Sequence, residues 1–159
     1  MSEGALPSQR LGALGLSLPE VPAPAGSYVP AKRTGHLVFT AGQLPLREGS
    51  LTVTGKVGDG VEPEEANEAA RLCALNALSA AASVAGGLDN IVSVVKVVGF
   101  VASAGEFTGQ PGVINGASDL LAEVFGESGR HARSAVGVAE LPLGSPVEVE
   151  LIVEVRPEV

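Results

Sequence analysis

The sequence predicts an α+β fold in which one β-sheet carries both of its helices on a single face, with the elements in the order β-β-α-β-α-β-β. Two runs carry this prediction. An Ala-rich stretch opening at Pro63 repeats its apolar residues every three and four positions, and a Val-dominated stretch from Ile91 to Ser103 is almost uninterrupted. The composition agrees with both. The chain is 45% hydrophobic with no Trp, one Tyr and four Phe, so the core must come from Val, Leu, Ile and Ala. At 159 residues there is room for one domain, large enough to bury roughly 68–70% of its unfolded surface.

Residues 1–30 are rich in Pro, Ala, Gly and Leu, with prolines too frequent for a helix or a central strand. This segment reads as an extended arm lying on a single domain formed by residues 31–159. His36 to Ala41 has β-branched and aromatic character and ends at Gly42, which predicts a strand. Leu51 to Gly55 alternates between two glycines and reads as the return arm of a hairpin. Pro63-Glu64-Glu65 opens a helix running to about Ala85, because proline suits the first helical turn and carboxylates there face the positive end of the helix dipole. Its stripe is Ala66, Ala69, Ala70, Cys73, Ala77, Ala80 and Val84, and Gly86-Gly87 supplies the stop.

The run IVSVVKVVGFVAS from Ile91 has the pattern of a central strand buried on both faces. A Gly/Pro-rich loop from Ala104 to Gly112 leads to a second helix near Val113 to Phe125, striped by Ile114, Ala117, Leu121 and Val124. Ser134 to Glu140 and Val147 to Val155 read as strands flanking the turn Leu141 to Pro146. With both helices on one face, the other face of the sheet is left bare. A bare apolar face on so small a domain predicts a homo-oligomer.

The formal net charge of -8 and pI near 4.7 leave no positive field to collect phosphates, so nucleic acid is not the expected partner. Lone Cys73 makes no internal disulfide, and no charged segment followed by an apolar one opens the chain, so the expected location is cytoplasmic. The longest apolar-rich stretch, Leu78 to Leu88, falls short of the roughly 20 residues a membrane span needs. His36, His131 and Cys73 reproduce no metal-ligand spacing, and neither a G-x-S-x-G elbow nor a phosphate loop occurs. No metal and no cofactor is expected.

What remains is the stretch from Arg130 to Pro142, where a cation opens a strand that then runs apolar. Ala132-Arg133-Ser134 with Val136, Ala139, Leu141 and Pro142, followed by Val147-Glu148-Val149-Glu150, resembles the C-terminal signature of the Rid (reactive intermediate deaminase, YjgF-like, endoribonuclease L-PSP) family. Ser27-Tyr28-Val29, Phe39-Thr40-Ala41-Gly42-Gln43-Leu44-Pro45 and Asn115 add to the resemblance, which covers about Ala25 to Val155. It implies a chorismate-mutase-like single mixed sheet with two helices on one face, and a homotrimer with a small cleft at each subunit interface. By the same resemblance Arg133 holds a substrate carboxylate, Glu148 positions the attacking water, Tyr28 lines the cleft, Gly42 and Asn115 shape it, and the backbone of Ala135 meets the imine end of the substrate. The implied reaction is cofactor-independent hydrolysis of enamines and imines such as 2-aminoacrylate to 2-oxo acids and ammonia.

Each residue also has a plainer reading. Arg133 by itself is as well explained by a salt bridge, Tyr28 by amphipathic packing, and His131 and His36 by roles at strand entries. Glu148, Glu150 and Glu154 share one face of a strand, and only the resemblance selects Glu148 over Glu150. Cys73 reads as core. The chain departs from the family pattern at His131, where many relatives carry Pro or Ala, at Ala135, where many carry Cys, and at Ser118, where an aromatic is common. Two other functions fit the same residues: a trimer that binds small carboxylate metabolites without turnover, and an endoribonuclease, for which an acidic chain poor in aromatic platforms is badly equipped.

Overall fold

A computed structural model describes residues 4–158 of the chain. In chain order its elements are helix α1 (Pro7–Ala13), strands β1 (Ala31–Thr34), β2 (Leu37–Thr40), β3 (Leu46–Arg47), β4 (Ser50–Leu51), β5 (Lys56–Val57) and β6 (Gly60–Val61), helix α2 (Pro63–Ala85), strand β7 (Ile91–Ala102), helix α3 (Gln110–Phe125), and strands β8 (Ala132–Val138) and β9 (Val147–Val155). Five of the strands make one mixed sheet in the order β1-β2-β9-β7-β8. Its strands and the helices α2 and α3 reproduce the predicted β-β-α-β-α-β-β order.

Helix α2 forms at the predicted limits. Pro63 occupies its first turn with Glu64 and Glu65, and Gly86 ends it in the left-handed conformation at φ 85°. Its alanines are buried almost without exception, because small side chains let a helix lie close to a sheet. Helix α3 comes closer still. A Cβ on Gly99 of β7 would sit 2.5 Å from Ile114 of α3, so the absence of a side chain there is what lets the helix seat against the strand.

The first hairpin differs from the expected one. His36–Ala41 does not pair with Leu51–Gly55; β2 pairs antiparallel with β1 around Gly35, which has φ 58°. β1 escapes sequence reading because it is an edge strand in which Ala31 is the one buried residue, so Ala-Lys-Arg-Thr carries no apolar alternation. Ser50–Leu51 instead closes a two-residue ladder with Leu46–Arg47 across Glu48 and Gly49, both at positive φ.

The last two strands flank their turn but do not pair. β7 lies between them, antiparallel to β9 and parallel to β8, because the β7-α3-β8 crossover returns the chain in the same direction. Nor is β7 buried on both faces. Ile91, Val94, Val97 and Val101 are buried under the helices, whereas Val92 and Val95 are each 41% exposed. An apolar run reads the same whether its second face meets helices or stands open. On that open face Phe39 and Val136 are 40% and 45% exposed.

The N-terminal arm is not extended throughout. Pro7 begins helix α1, whose Leu11 is buried and whose Ser8 bonds Asp89 through its backbone N–H at 2.9 Å and its hydroxyl at 2.7 Å. A proline in the first turn of a helix is no obstacle, and the remaining prolines of the arm fall at Pro19 and beyond. Among the described residues no helix is long and apolar enough to cross a membrane.

Candidate active site

Arg133 lies near the start of β8 in register with Val97 of β7, a residue buried beneath the helices, so its side chain leaves the sheet toward α3. Its Nη1 donates to Asn115 Oδ1 at 2.8 Å and to Ser118 Oγ at 3.2 Å, and its Nη2 donates to the Pro111 carbonyl at 3.2 Å. All three acceptors are neutral and all lie on α3, where Asn115 and Ser118 share a face at a spacing of three. No carboxylate pairs with Arg133 among the described residues. Within the chain, Arg133 is therefore not part of a salt bridge among the described residues. Nε–H and one hydrogen of Nη2 have no partner among these contacts, enough to meet both oxygens of a carboxylate.

Glu148 lies on β9 in register with Phe100 of β7. Val97 and Phe100 are an odd number of residues apart on a strand regular between them, so Arg133 and Glu148 leave the sheet on opposite faces. Within one chain they do not meet. The half-buried Glu148 carboxyl is pushed above its ordinary value, first by burial and then by the neighbouring Glu150 charge, which makes it a stronger base when ionised.

Gly42 sits against Glu148. After β2 the chain keeps its hold on β9 through the Thr40 hydroxyl, which accepts from Leu151 N–H at 2.9 Å, and through paired backbone bonds between Gln43 and Val149. This brings Gly42 onto the Glu148 side chain, where an added Cβ would lie 2.7 Å from Cδ and overlap Oε1. Tyr28 is 48% exposed. Its hydroxyl accepts from Ala25 N–H at 3.1 Å, and Tyr28 itself lies two residues before Pro30, whose carbonyl accepts from Ala41 N–H at 2.8 Å. Tyr28 thus stands on the arm that leads to Gly42, with no hydrogen bond to Arg133 or Glu148 among the described residues.

The expected residues form two groups. Arg133 and Asn115 meet on the helix face, with Ala135 two residues along β8 on the same side, and Gly42 and Glu148 meet at β9 with Tyr28 on the adjoining arm. Sequence reading missed Ser118 and the Pro111 carbonyl as partners of Arg133. The spacing of Ser118 from Asn115 on one helix face was the available signal for the first; a backbone carbonyl leaves none. Cys73 is fully buried, with its thiol pushed well up by burial and by Glu148. Among the described residues no group of three His, Cys, Asp or Glu side chains could hold a metal.

Comparison with known proteins adds a family. Residues 8–155 match the family model described as "YjgF/chorismate_mutase-like, putative endoribonuclease". Protein TCP17 of Trypanosoma cruzi is 46% identical over 144 residues, 90% of each chain. The solved structure of Atu1372, a protein of unknown function from Agrobacterium tumefaciens, is 48% identical with a TM-score of 0.86, over 94% of this chain and 92% of that one. Escherichia coli TdcF, solved with bound serine, is 26% identical with a TM-score of 0.61, over 86% of this chain and 94% of that one.

Proposed function

We propose, from the premise that this chain belongs to the YjgF/chorismate-mutase-like family, that it hydrolyses 2-imino acids and their enamine tautomers to 2-oxo acids and ammonia without a cofactor. The observation that carries this reading is Arg133: a guanidinium braced by three neutral oxygens, with no counter-charge on it and two N–H groups unspent among the described residues. Such a group suits a small carboxylate. That TdcF is similar in fold and binds serine, which carries a carboxylate beside an amine-bearing carbon, supports the same ligand class.

The opposite-face placement of Arg133 and Glu148 is reconciled by assembly. In a homotrimer in which the open sheet face of one copy is covered by the next, the Arg133 group of one subunit and the Glu148 group of its neighbour line one cleft. The exposed Phe39 and Val136 are the surface such an assembly buries. Tyr28 closes the cleft from the arm, and the backbone beside Ala135 contacts the imine end.

The chemistry follows from these positions. Arg133 holds the carboxylate by two hydrogen bonds and so fixes the imine carbon. Glu148 takes a proton from a water whose oxygen bonds to that carbon, while the imine nitrogen gains a proton. Protonated Glu148 then returns its proton to the carbinolamine nitrogen, the C–N bond breaks to release ammonia, and the hydroxyl proton passes to solvent, replacing the one the imine nitrogen took up, to give the 2-oxo acid. An imine hydrolyses in water already, so orientation and one general base are sufficient equipment. Cleavage of RNA, the activity in the family's description, is poorly served by a net charge of -8.

The test is to generate 2-imino acids with an amino-acid oxidase and trap them with semicarbazide. Wild type is expected to suppress the semicarbazone and Arg133→Ala is not. If wild type fails across several amino acids, the deaminase reading falls and a carboxylate-binding trimer without turnover takes its place.

A further inference from the structure

Resting on that reading, we propose that Ser118 and His131 are a pair of positioning residues that aim the Arg133 guanidinium at the substrate carboxylate while leaving its charge uncancelled. The hydrogen bonds settle their own direction. His131 Nδ1 lies 2.6 Å from the Gly129 carbonyl, which only accepts, so the ring hydrogen is on Nδ1. In the neutral ring Nε2 is then bare, and it accepts the Ser118 hydroxyl hydrogen at 2.9 Å. The Ser118 oxygen, with its hydrogen committed, faces Arg133 Nη1 as an acceptor at 3.2 Å. Every donor in the chain from Arg133 through Ser118 and His131 to Gly129 points the same way.

Both ends of this chain are anchored to α3. Ser118 is on the helix, and the Gly129 backbone packs so tightly on it that a Cβ would sit 2.9 Å from the Leu121 carbonyl carbon. The Gly129 carbonyl is therefore a fixed acceptor. His131, two residues before Arg133, leaves the chain on the same side as Arg133. An Asp or Glu in place of the Ser118–His131 pair would brace the guanidinium more strongly, but its charge would compete with the substrate carboxylate. Neutral acceptors orient the arginine and leave its field available to the ligand.

Binding of pyruvate, a 2-oxo carboxylate, is measured by calorimetry for wild type, Arg133→Ala, Ser118→Ala, His131→Ala and His131→Gln, and imine turnover is followed in parallel. Loss of either positioning residue is expected to weaken pyruvate roughly ten-fold and to raise KM by a similar factor with little change in kcat. His131→Gln, whose side-chain oxygen can take the hydroxyl hydrogen, restores most of the affinity. The double variant Ser118→Ala/His131→Ala is expected to weaken pyruvate no more than either single variant, a non-additivity that a general loss of folding does not produce. Nitrogen NMR of the ring should show a protonated Nδ1 and a bare Nε2. Should His131→Ala destabilise the fold, Ser118→Ala carries the same test.

If wild type binds pyruvate and Arg133→Ala does not, yet His131→Ala and Ser118→Ala bind like wild type, the positioning role is overturned and the deaminase reading stands. The Nε2-protonated tautomer, or additive losses of affinity in the Ser118→Ala/His131→Ala double variant, overturns it equally. If wild type binds no pyruvate and hydrolyses no imine, both fall together.

Discussion

Gly42 and Glu148 pack so closely that there is no space between them for a methyl group. The atoms in the way belong to the Glu148 carboxyl and Cγ, the movable end of a side chain, so Gly42→Ala is expected to swing the carboxylate aside with little disturbance to the backbone. We predict a fall in kcat of roughly ten-fold or more with KM nearly unchanged, while the thermal midpoint moves little. A variant with full kcat would show that Glu148 works from some other rotamer.

Glu148 carries a pKa raised by burial and then by Glu150. Acting as a base it must be ionised, so turnover should fall as pH drops through this raised value. Glu150→Gln removes the second cause and is expected to move the acid limb of the kcat profile to lower pH. The stability consequence has a definite sign. A carboxyl with a folded pKa above its unfolded one stabilises the fold below the unfolded value and loses that contribution as pH rises through the folded value. Glu148→Gln should therefore gain stability relative to wild type between acid and neutral pH, measured by urea unfolding across that range.

Asn115 Oδ1 lies 2.8 Å from Arg133 Nη1. Asn115→Asp keeps the shape and adds a charge, converting a neutral brace into an ion pair. The expected result is a KM for imino acids raised about ten-fold or more with the fold intact, since the new carboxylate competes with the substrate's. Unchanged KM would remove Arg133 from carboxylate binding.

Arg133 and Glu148 leave one chain on opposite faces, so in the proposed trimer each single variant should complement the other. Arg133→Ala and Glu148→Gln, inactive alone, are predicted to regain about a quarter of wild-type turnover when unfolded together and reassembled at equal ratio, because that fraction of interfaces pairs two intact halves. Val136→Asp on the open face should prevent assembly and recovery alike, as read by sedimentation.

Gly99 allows α3 to seat on β7. Ile114, against which a Cβ would press from 2.5 Å, is fully buried and has nowhere to retreat. Gly99→Ala is predicted to cost about 1–3 kcal/mol in chemical denaturation, and to weaken pyruvate binding because Asn115 and Ser118 move with the helix.

The sequence by itself determined the elements whose signals are local and the family they belong to. Helix α2 was legible because Pro63, the first-turn glutamates and Gly86 act within a turn of themselves, and the family was legible because the motif around Arg133 is contiguous. Only the tertiary structure decided what depends on distant partners: the edge hairpin of β1 with β2, the insertion of β7 between β8 and β9, the open face of β7, and the separation of Arg133 from Glu148. The Ser118–His131 chain belongs with these. Strand pairing, face and hydrogen-bond direction are set by which elements meet in space, and a one-dimensional pattern records the apolar or polar character of a residue but not the neighbour it will find.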